Sequence, residues 1–305
     1  MHPFIHAKTT PDKPAIVVAE TGETRTYRQL DEASNQVAHL FRQHGLGHDD
    51  VVAFMLENTP DYYNLTWGAQ RAGLRYVCIS SRLTADETDY ILENSGAKLF
   101  IISAGLAGAA AKLTTQVKRY ALGGAVPGYG SLEEALAPLP KTPIADERAG
   151  VDMLYSSGTT GRPKGVRIPL PEDPAINQSN SLVMLAMGLF RFTPDSIYLS
   201  PAPLYHAAPL RWSMTVHKIG GTVVMMKKFD AEGALAAIDG AAPDAAKQII
   251  AANGGKLIQG VVDLVGAPST TGIAFDCLIK GGKLVIVGLF GGGASWPIAF
   301  IPMKA

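Results

Sequence analysis

At 305 residues the chain is long enough for about two domains with a buried core. Hydrophobic residues make up 47% and charged residues 18%, which suits a globular protein rather than a disordered one. The 27 basic side chains balance 27 acidic ones, so charge gives no reason to expect nucleic acid or an anionic membrane as a partner.

Met1 to Thr10 lacks a basic region followed by an apolar core, so no signal peptide is read and a cytoplasmic location is expected. Residues 14–20 read as a strand. Thr26 with Gln29 forms a capping box, and Tyr27 to Phe41 follows helical spacing until Gly45 stops it. His44 and His48 are four apart, but Gly45 and Gly47 break any helix that would align them. Val51 to Leu56 is a continuous apolar run, expected of a strand buried on both faces. Pro60 opens a second helix that Gly73 ends, and Leu74 to Ser80 is the next strand. Thr84 with Glu87 caps a third helix ending at Gly96, and Lys98 to Ile102 follows as a strand. This alternation is the grammar of a parallel α/β sheet. Residues 104–148 are Ala/Gly/Pro-rich and poorly periodic, apart from a helical patch near Leu132 to Leu136.

Residues 153–166 carry the densest chemistry. Three glycines, Gly158, Gly161 and Gly165, allow backbone N–H groups to converge. Ser156, Ser157, Thr159 and Thr160 add hydroxyls, and Lys164 adds one cation. Converging donors with a cation suit an oligophosphate. The run is not a Walker A loop, because the position five after Gly158 is Pro163. It resembles the phosphate-binding signature of the AMP-forming acyl-CoA synthetases of the adenylate-forming superfamily. Further on, Ser179 to Leu189 is apolar and expected as a buried helix, and Ile197 to Ser200 as a short strand. Pro201 to Leu210 then resembles the second core motif of the same family, with His206 beside the acyl carboxylate. The other reading of His206 is a helix-start histidine satisfied by backbone. Gly220 to Met226 reads as a strand and Phe229 to Leu235 as the start of a helix.

That resemblance runs from residue 1 to about 238. It implies ATP, Mg²⁺ and CoA as the small molecules used, with a carboxylic acid, a fatty acid in the first instance, activated as acyl-adenylate and then acyl-CoA. It also exposes gaps. The family's Tyr-Gly-x-Thr-Glu motif, whose Glu ligates Mg²⁺, its Thr-Gly-Asp ribose motif and its C-terminal lysine are missing. Tyr129 to Glu133 and Pro140 to Thr142 imitate two of these but precede the phosphate loop, where the family places both after it.

From about 239 to 305 the chain resembles instead the later half of the nucleotide-binding domain of medium-chain alcohol dehydrogenases. The matching pieces are helices at Asp244 to Ala252 and Ser269 to Ile279, Gly260 to Gly266, and Gly281 to Gly293. Val261 to Val265 and Leu284 to Val287 read as parallel strands. Leu284 to Met303 is uncharged, but its glycines and prolines favour a strand and turn over a membrane span. No G-x-G-x-x-G fingerprint or zinc-ligand cluster is present; Cys78 and Cys277 form no C-x-x-C pair. By analogy with the dehydrogenases the turn Gly288 to Gly293 could let backbone approach a nicotinamide; a structural strand-end turn is the better reading of Gly291 to Gly293.

The expected class is therefore α/β: an incomplete adenylate-forming N-terminal domain over 1–238, with parallel and mixed sheets carrying helices on their faces, then a partial Rossmann-like piece over 239–305. The candidate cofactor-binding residues are Ser156, Ser157, Gly158, Thr159, Thr160, Gly161 and Lys164, with His206 for substrate and no complete catalytic or metal set. Two alternatives stay open: an NAD(P)-linked oxidoreductase fragment, and a non-catalytic fusion remnant.

Overall fold

The computed structural model describes residues 1–156, 162–231, 233, 234 and 237, together with the strand backbones 258–263 and 278–286. The helices are α1 (Pro3–Thr9), α2 (Tyr27–Gln43), α3 (Asp61–Arg71), α4 (Ala85–Ser95), α5 (Ala107–Ala110), α6 (Leu132–Leu136), α7 (Ser181–Gly188) and α8 (Ala207–Ile219). The strands β1 (Pro14–Val18), β2 (Thr24–Thr26), β3 (Val51–Met55), β4 (Arg75–Cys78), β5 (Ala97–Ser103), β6 (Lys118–Leu122) and β7 (Gly130–Ser131) fall in the first half. They are followed by β8 (Val151–Asp152), β9 (Leu154–Ser156), β10 (Lys164–Val166), β11 (Ile197–Ser200), β12 (Thr222–Met225), β13 (Ile258–Asp263) and β14 (Leu278–Ile286). The chain divides into two compact units: residues 1–16, 24–179 and 203–210 form the first, and 17–23, 180–202 and 211–305 the second.

The first unit is built on a six-stranded sheet in the order β7-β6-β5-β3-β4-β8, with every pairing parallel. The chain leaves β3 for β4 on one side, then returns past β3 to lay down β5 on the other. Right-handed crossovers in opposite directions put their helices on opposite faces of the sheet. Val51, Ala53 and Met55 accordingly pack in one cluster with Ile91 and Leu92 of α4. The alternate residues Val52 and Phe54 are also fully buried, so β3 is covered on both sides, as its unbroken apolar run requires. α2 and α3 pack against each other so closely that a Cβ on Gly68 would lie 2.3 Å from Val37 Cγ1; only glycine permits that crossing.

Local signals placed the helix ends. Thr26 and Gln29 close a reciprocal capping box on α2, and Thr84 and Glu87 close another on α4. Gly96 ends α4 in the left-handed region at φ 71°. The poorly periodic stretch 104–148 contains more order than its composition suggests: β6 and β7 extend the sheet beyond β5. Tyr129 to Glu133 has a structural role there. Ser131 caps α6, and the Glu133 carboxylate accepts from the Gly123 N–H at 2.7 Å.

In the second unit β11 and β12 pair in parallel, and the Ala19 N–H donates to the Met225 carbonyl at 2.8 Å. β13 and β14 form a parallel pair, as their apolar runs predicted. β14 begins at Leu278, so Leu278 and Ile279, expected at the end of a helix, lie in a strand instead. The expected helices 244–252 and 269–277 and the turn 288–293 lie outside the described residues. One expectation is overturned: α7 is not buried. Met184 (67% exposed), Leu185, Met187 and Leu189 face solvent, and only Val183 and Ala186 are buried. Apolar composition marks a face that prefers cover, but cover depends on a partner surface that the sequence of the helix does not specify.

Candidate functional site

β9 and β10 form an antiparallel hairpin in which Lys164 stands opposite Ser156, Gly165 opposite Tyr155, and Val166 opposite Leu154. Lys164 thus sits on the first rung after the glycine- and hydroxyl-rich stretch of the sequence. Ser157, Gly158, Thr159, Thr160 and Gly161 lie outside the described residues, and Ser156 is described by its backbone. Lys164 is exposed, and among the described residues its ammonium makes no hydrogen bond or ion pair.

The hairpin is fastened to α4. The Tyr155 hydroxyl donates to Asn94 Oδ1 at 2.7 Å. Burial, followed by the neighbouring Tyr90, pushes the Tyr155 phenol up to about 12, so it keeps this proton throughout the neutral range. The Arg162 guanidinium stands 5.2 Å from the centroid of the Tyr90 ring. A Cβ on Gly165 would meet Tyr155 Cζ at 2.8 Å and Met153 Cε at 2.9 Å, so the absent side chain is what lets the tyrosine lie across the hairpin.

His206 belongs to the same unit, immediately before α8. The turn that carries it is closed by the His206 N–H donating to the Pro203 carbonyl at 3.1 Å. It is pinned by Asn58 Oδ1, which accepts from the N–H of fully buried Leu204 at 2.9 Å. Asn58 lies just past β3, at the carboxyl edge of the sheet where the strand order reverses. That edge is where open parallel sheets bind ligands. The His206 carbonyl serves α8 by accepting from Leu210, but its ring makes no hydrogen bond among the described residues and leans on Tyr205 at 4.5 Å. Among the described residues a helix-start position and an imidazole without a hydrogen bond therefore coexist. Partial burial, then the positive charge of Arg82, lowers the His206 pKa from its ordinary value.

Lys164 and His206 are thus both placed, while the hydroxyls and glycines between 157 and 161 are outside the described residues. Four supporting residues escaped the sequence reading: Asn58, Tyr90, Asn94 and Tyr155. Each acts through a contact with a residue distant in sequence, and no spacing pattern announces it. Among the described residues no group of three or more His, Cys, Asp or Glu is arranged to hold a metal ion, and no helix is long and apolar enough to cross a membrane.

Two families match the chain, over stretches that overlap between residues 214 and 246. Residues 4–246 match the AMP-binding enzyme family, and residues 214–305 match the zinc-binding dehydrogenase family. The chain is 31% identical over 232 residues to the fatty acid–[acyl-carrier-protein] ligase ScoC of Streptomyces coeruleorubidus, covering 75% of this chain and 44% of the relative. It is 30% identical over 232 residues to the long-chain-fatty-acid–CoA ligase FadD13 of Mycobacterium tuberculosis, covering 74% and 44%. It is 32% identical over 238 residues to human long-chain fatty acid transport protein 1, covering 72% and 36%. The chain therefore spans less than half the length of these relatives. Its fold is similar to the inhibitor-bound N-terminal domain of FACL13 from M. tuberculosis, with a TM-score of 0.67 at 24% identity, covering 99% of this chain and 71% of that one. With four-fifths of its length matched, from the first helix through β9, β10 and the His206 turn, the chain belongs to the AMP-binding enzyme family.

Proposed function

We propose that the chain carries the phosphate-binding half of an AMP-forming ligase that acts on a fatty carboxylic acid, and that its turnover is weak or absent. The observation that carries this reading is Lys164, exposed and unpaired among the described residues, across the hairpin from Ser156. In the complete reaction a carboxylate oxygen attacks the α-phosphorus of ATP. The bond to the β-phosphate oxygen breaks, and pyrophosphate leaves. A thiol, that of CoA or of a carrier protein, then displaces AMP from the acyl carbon. Lys164 and the donors from Ser156 to Gly161 hold the polyphosphate against its own charge, and His206 orients the carboxylate. Mg²⁺ would arrive with the polyphosphate, since the family's glutamate ligand is not in the sequence.

The residues absent from the sequence set the expected rate. Losing one preorganised donor to a developing charge typically costs ~2.7–4 kcal/mol of transition-state stabilisation. Loss of the ribose aspartate, the metal glutamate and the second lysine together leaves binding but little chemistry. With fatty acid, ATP and hydroxylamine, acyl-hydroxamate should stay near background, while Mg-ATP binds the parent and binds Lys164→Ala at least tenfold more weakly. Rapid hydroxamate formation would refute the incompleteness; equal Mg-ATP binding by parent and variant would remove the phosphate loop from the argument.

A second reading is favoured by the parallel β13–β14 pair and the dehydrogenase-like match over residues 214–305. We propose residues 239–305 as a fold-completing piece without its own dinucleotide fingerprint. A rise in Tm with NADH and none with Mg-ATP would reverse the ranking, because only a ligand of the native state raises its stability. No shift with either would leave a non-catalytic fusion remnant.

A further inference from the structure

Arg71 ends α3 with its side chain fully buried, and the protein around it uses only part of its hydrogen-bonding capacity. Nη2 donates to Asp31 Oδ1 at 2.6 Å. Nε stands 3.4 Å from Glu147 Oε1, close enough for an ion pair but without the alignment of a hydrogen bond. Among the described residues Nε, Nη1 and Glu147 Oε1 are buried atoms to which no protein group bonds. A fourth such atom is Oδ1 of Asn35, a residue of α2 that is 1% exposed. The orientation of that amide is decided by its neighbours. Nδ2 donates to the Lys141 carbonyl at 2.9 Å and to Asp31 Oδ2 at 3.4 Å, and an oxygen turned that way would meet two acceptors. Arg71 and Asn35 thus meet on one carboxylate, that of Asp31, and each leaves a buried polar atom unused.

The mixture of unused atoms names the ligand. An anion would accept from Arg71, but it would lie beside the carboxylates of Asp31 and Glu147. A metal cation would take the oxygens of Glu147 and Asn35, but it would lie beside the guanidinium. Either arrangement buries like charges together. A small neutral molecule that both donates and accepts serves N–H groups and oxygens at once. Buried polar atoms left unpaired are costly, and internal water making about three hydrogen bonds is their common partner.

We propose that this cluster is an internal hydration site, in which ordered water accepts from the Arg71 guanidinium and donates to Glu147 Oε1 and Asn35 Oδ1. The site lies where the strap from Glu147 to Gly150 docks on the end of α3. There the Arg148 N–H donates to the Arg71 carbonyl at 2.9 Å, and the Gly150 N–H to the Gln70 carbonyl at 2.6 Å. Water at this point joins α2, α3 and the strap that leads into β8. The inference is independent of the polyphosphate reading.

The test is a crystal structure of the full chain refined with its solvent, and a second crystal soaked in sodium bromide. A density peak within about 3.2 Å of Arg71 Nη1 or Nε, and of Glu147 Oε1 or Asn35 Oδ1, is expected, with no anomalous signal from bromide. Direct hydrogen bonds from Nε and Nη1 to protein oxygens, with no such peak, would overturn the proposal. An anomalous peak would overturn it too, by making the site one for anions. Solution NMR separates a resident water from one trapped by crystallisation. A nuclear Overhauser cross-peak between water and the Arg71 Nε–H, of the sign given by a molecule tumbling with the protein, is expected, and its absence would overturn the proposal. Glu147→Gln keeps an acceptor oxygen and should retain the cross-peak. Glu147→Leu removes that acceptor and should weaken it; undiminished intensity in a Glu147→Leu chain with parent-like thermal melts would take Glu147 out of the site.

Discussion

Lys164 faces Ser156 across the β9–β10 hairpin, and the next rung pairs Gly165 with Tyr155. The position of the cation is thus tied to whether a tyrosine can lie flat across its neighbour. Gly165→Ala would place a methyl group 2.8 Å from Tyr155 Cζ. The ring cannot simply retreat, because its hydroxyl is bonded to Asn94 at 2.7 Å. Overpacking of this kind costs roughly 1–3 kcal/mol. Gly165→Ala should lower the midpoint of urea unfolding by that amount and weaken Mg-ATP binding in parallel. Gly165→Ala with parent stability and parent affinity would mean that the rung tolerates the methyl group and does not set the lysine.

What was legible in the sequence was what short-range physics decides. Two capping boxes, a left-handed glycine and the apolar run from Val51 to Leu56 fixed α2, α4 and β3 almost to the residue. β6 was not legible: Lys-Arg-Tyr-Ala-Leu has no clean alternation, and its strand character comes from parallel pairing with β5. The candidate site divides in the same way. Lys164 and His206 announce themselves by motif, whereas Asn58 is linked to Leu204 across 146 positions. Such a partnership belongs to the topology, which no local pattern encodes.

Asn58 gives the second prediction. Asn58→Ala removes the acceptor of a buried N–H on Leu204, and an unpaired buried donor costs about 1–3 kcal/mol. The turn bearing Tyr205 and His206 would loosen with it. Asn58→Asp retains an acceptor oxygen and should recover most of the loss. Amide hydrogen exchange at Leu204 reads this directly: rapid exchange in Asn58→Ala and slow exchange in Asn58→Asp are expected. Equal protection in parent and Asn58→Ala would show that the turn is held by other contacts.

The third prediction concerns pH. Arg71 is fully buried, 2.6 Å from Asp31 and 3.4 Å from Glu147. Burial raises the Glu147 pKa, Asp31 adds to the rise, and Arg71 and Lys8 oppose it without reversing it. A carboxyl whose folded pKa exceeds its unfolded value, about 4.3, contributes stability that is complete below that value and is lost as pH rises through the folded pKa. Glu147→Gln does not titrate, so its stability relative to the parent should increase between pH 4 and pH 7. Urea melts at the two pH values check the sign. A relative stability that falls over the same interval would mean that attraction to Arg71 outweighs the cost of burying the carboxylate.

The exposed face of α7 supports the last prediction. Met184, Leu185, Met187 and Leu189 together present an apolar surface to water, and nothing in their burial suggests that they hold the second unit together. Substitutions at exposed positions away from packed or charged contacts usually change stability by less than about 0.5 kcal/mol. Met184→Glu combined with Met187→Lys should therefore leave the unfolding free energy within that margin. Placed three apart on one turn, the new pair also faces itself with opposite charges, which favours the helix slightly. Binding of a hydrophobic dye such as ANS should fall, since the surface it would occupy has become charged. A loss of more than about 2 kcal/mol would instead show that this face is covered in the folded chain, as losses of that size come from buried positions.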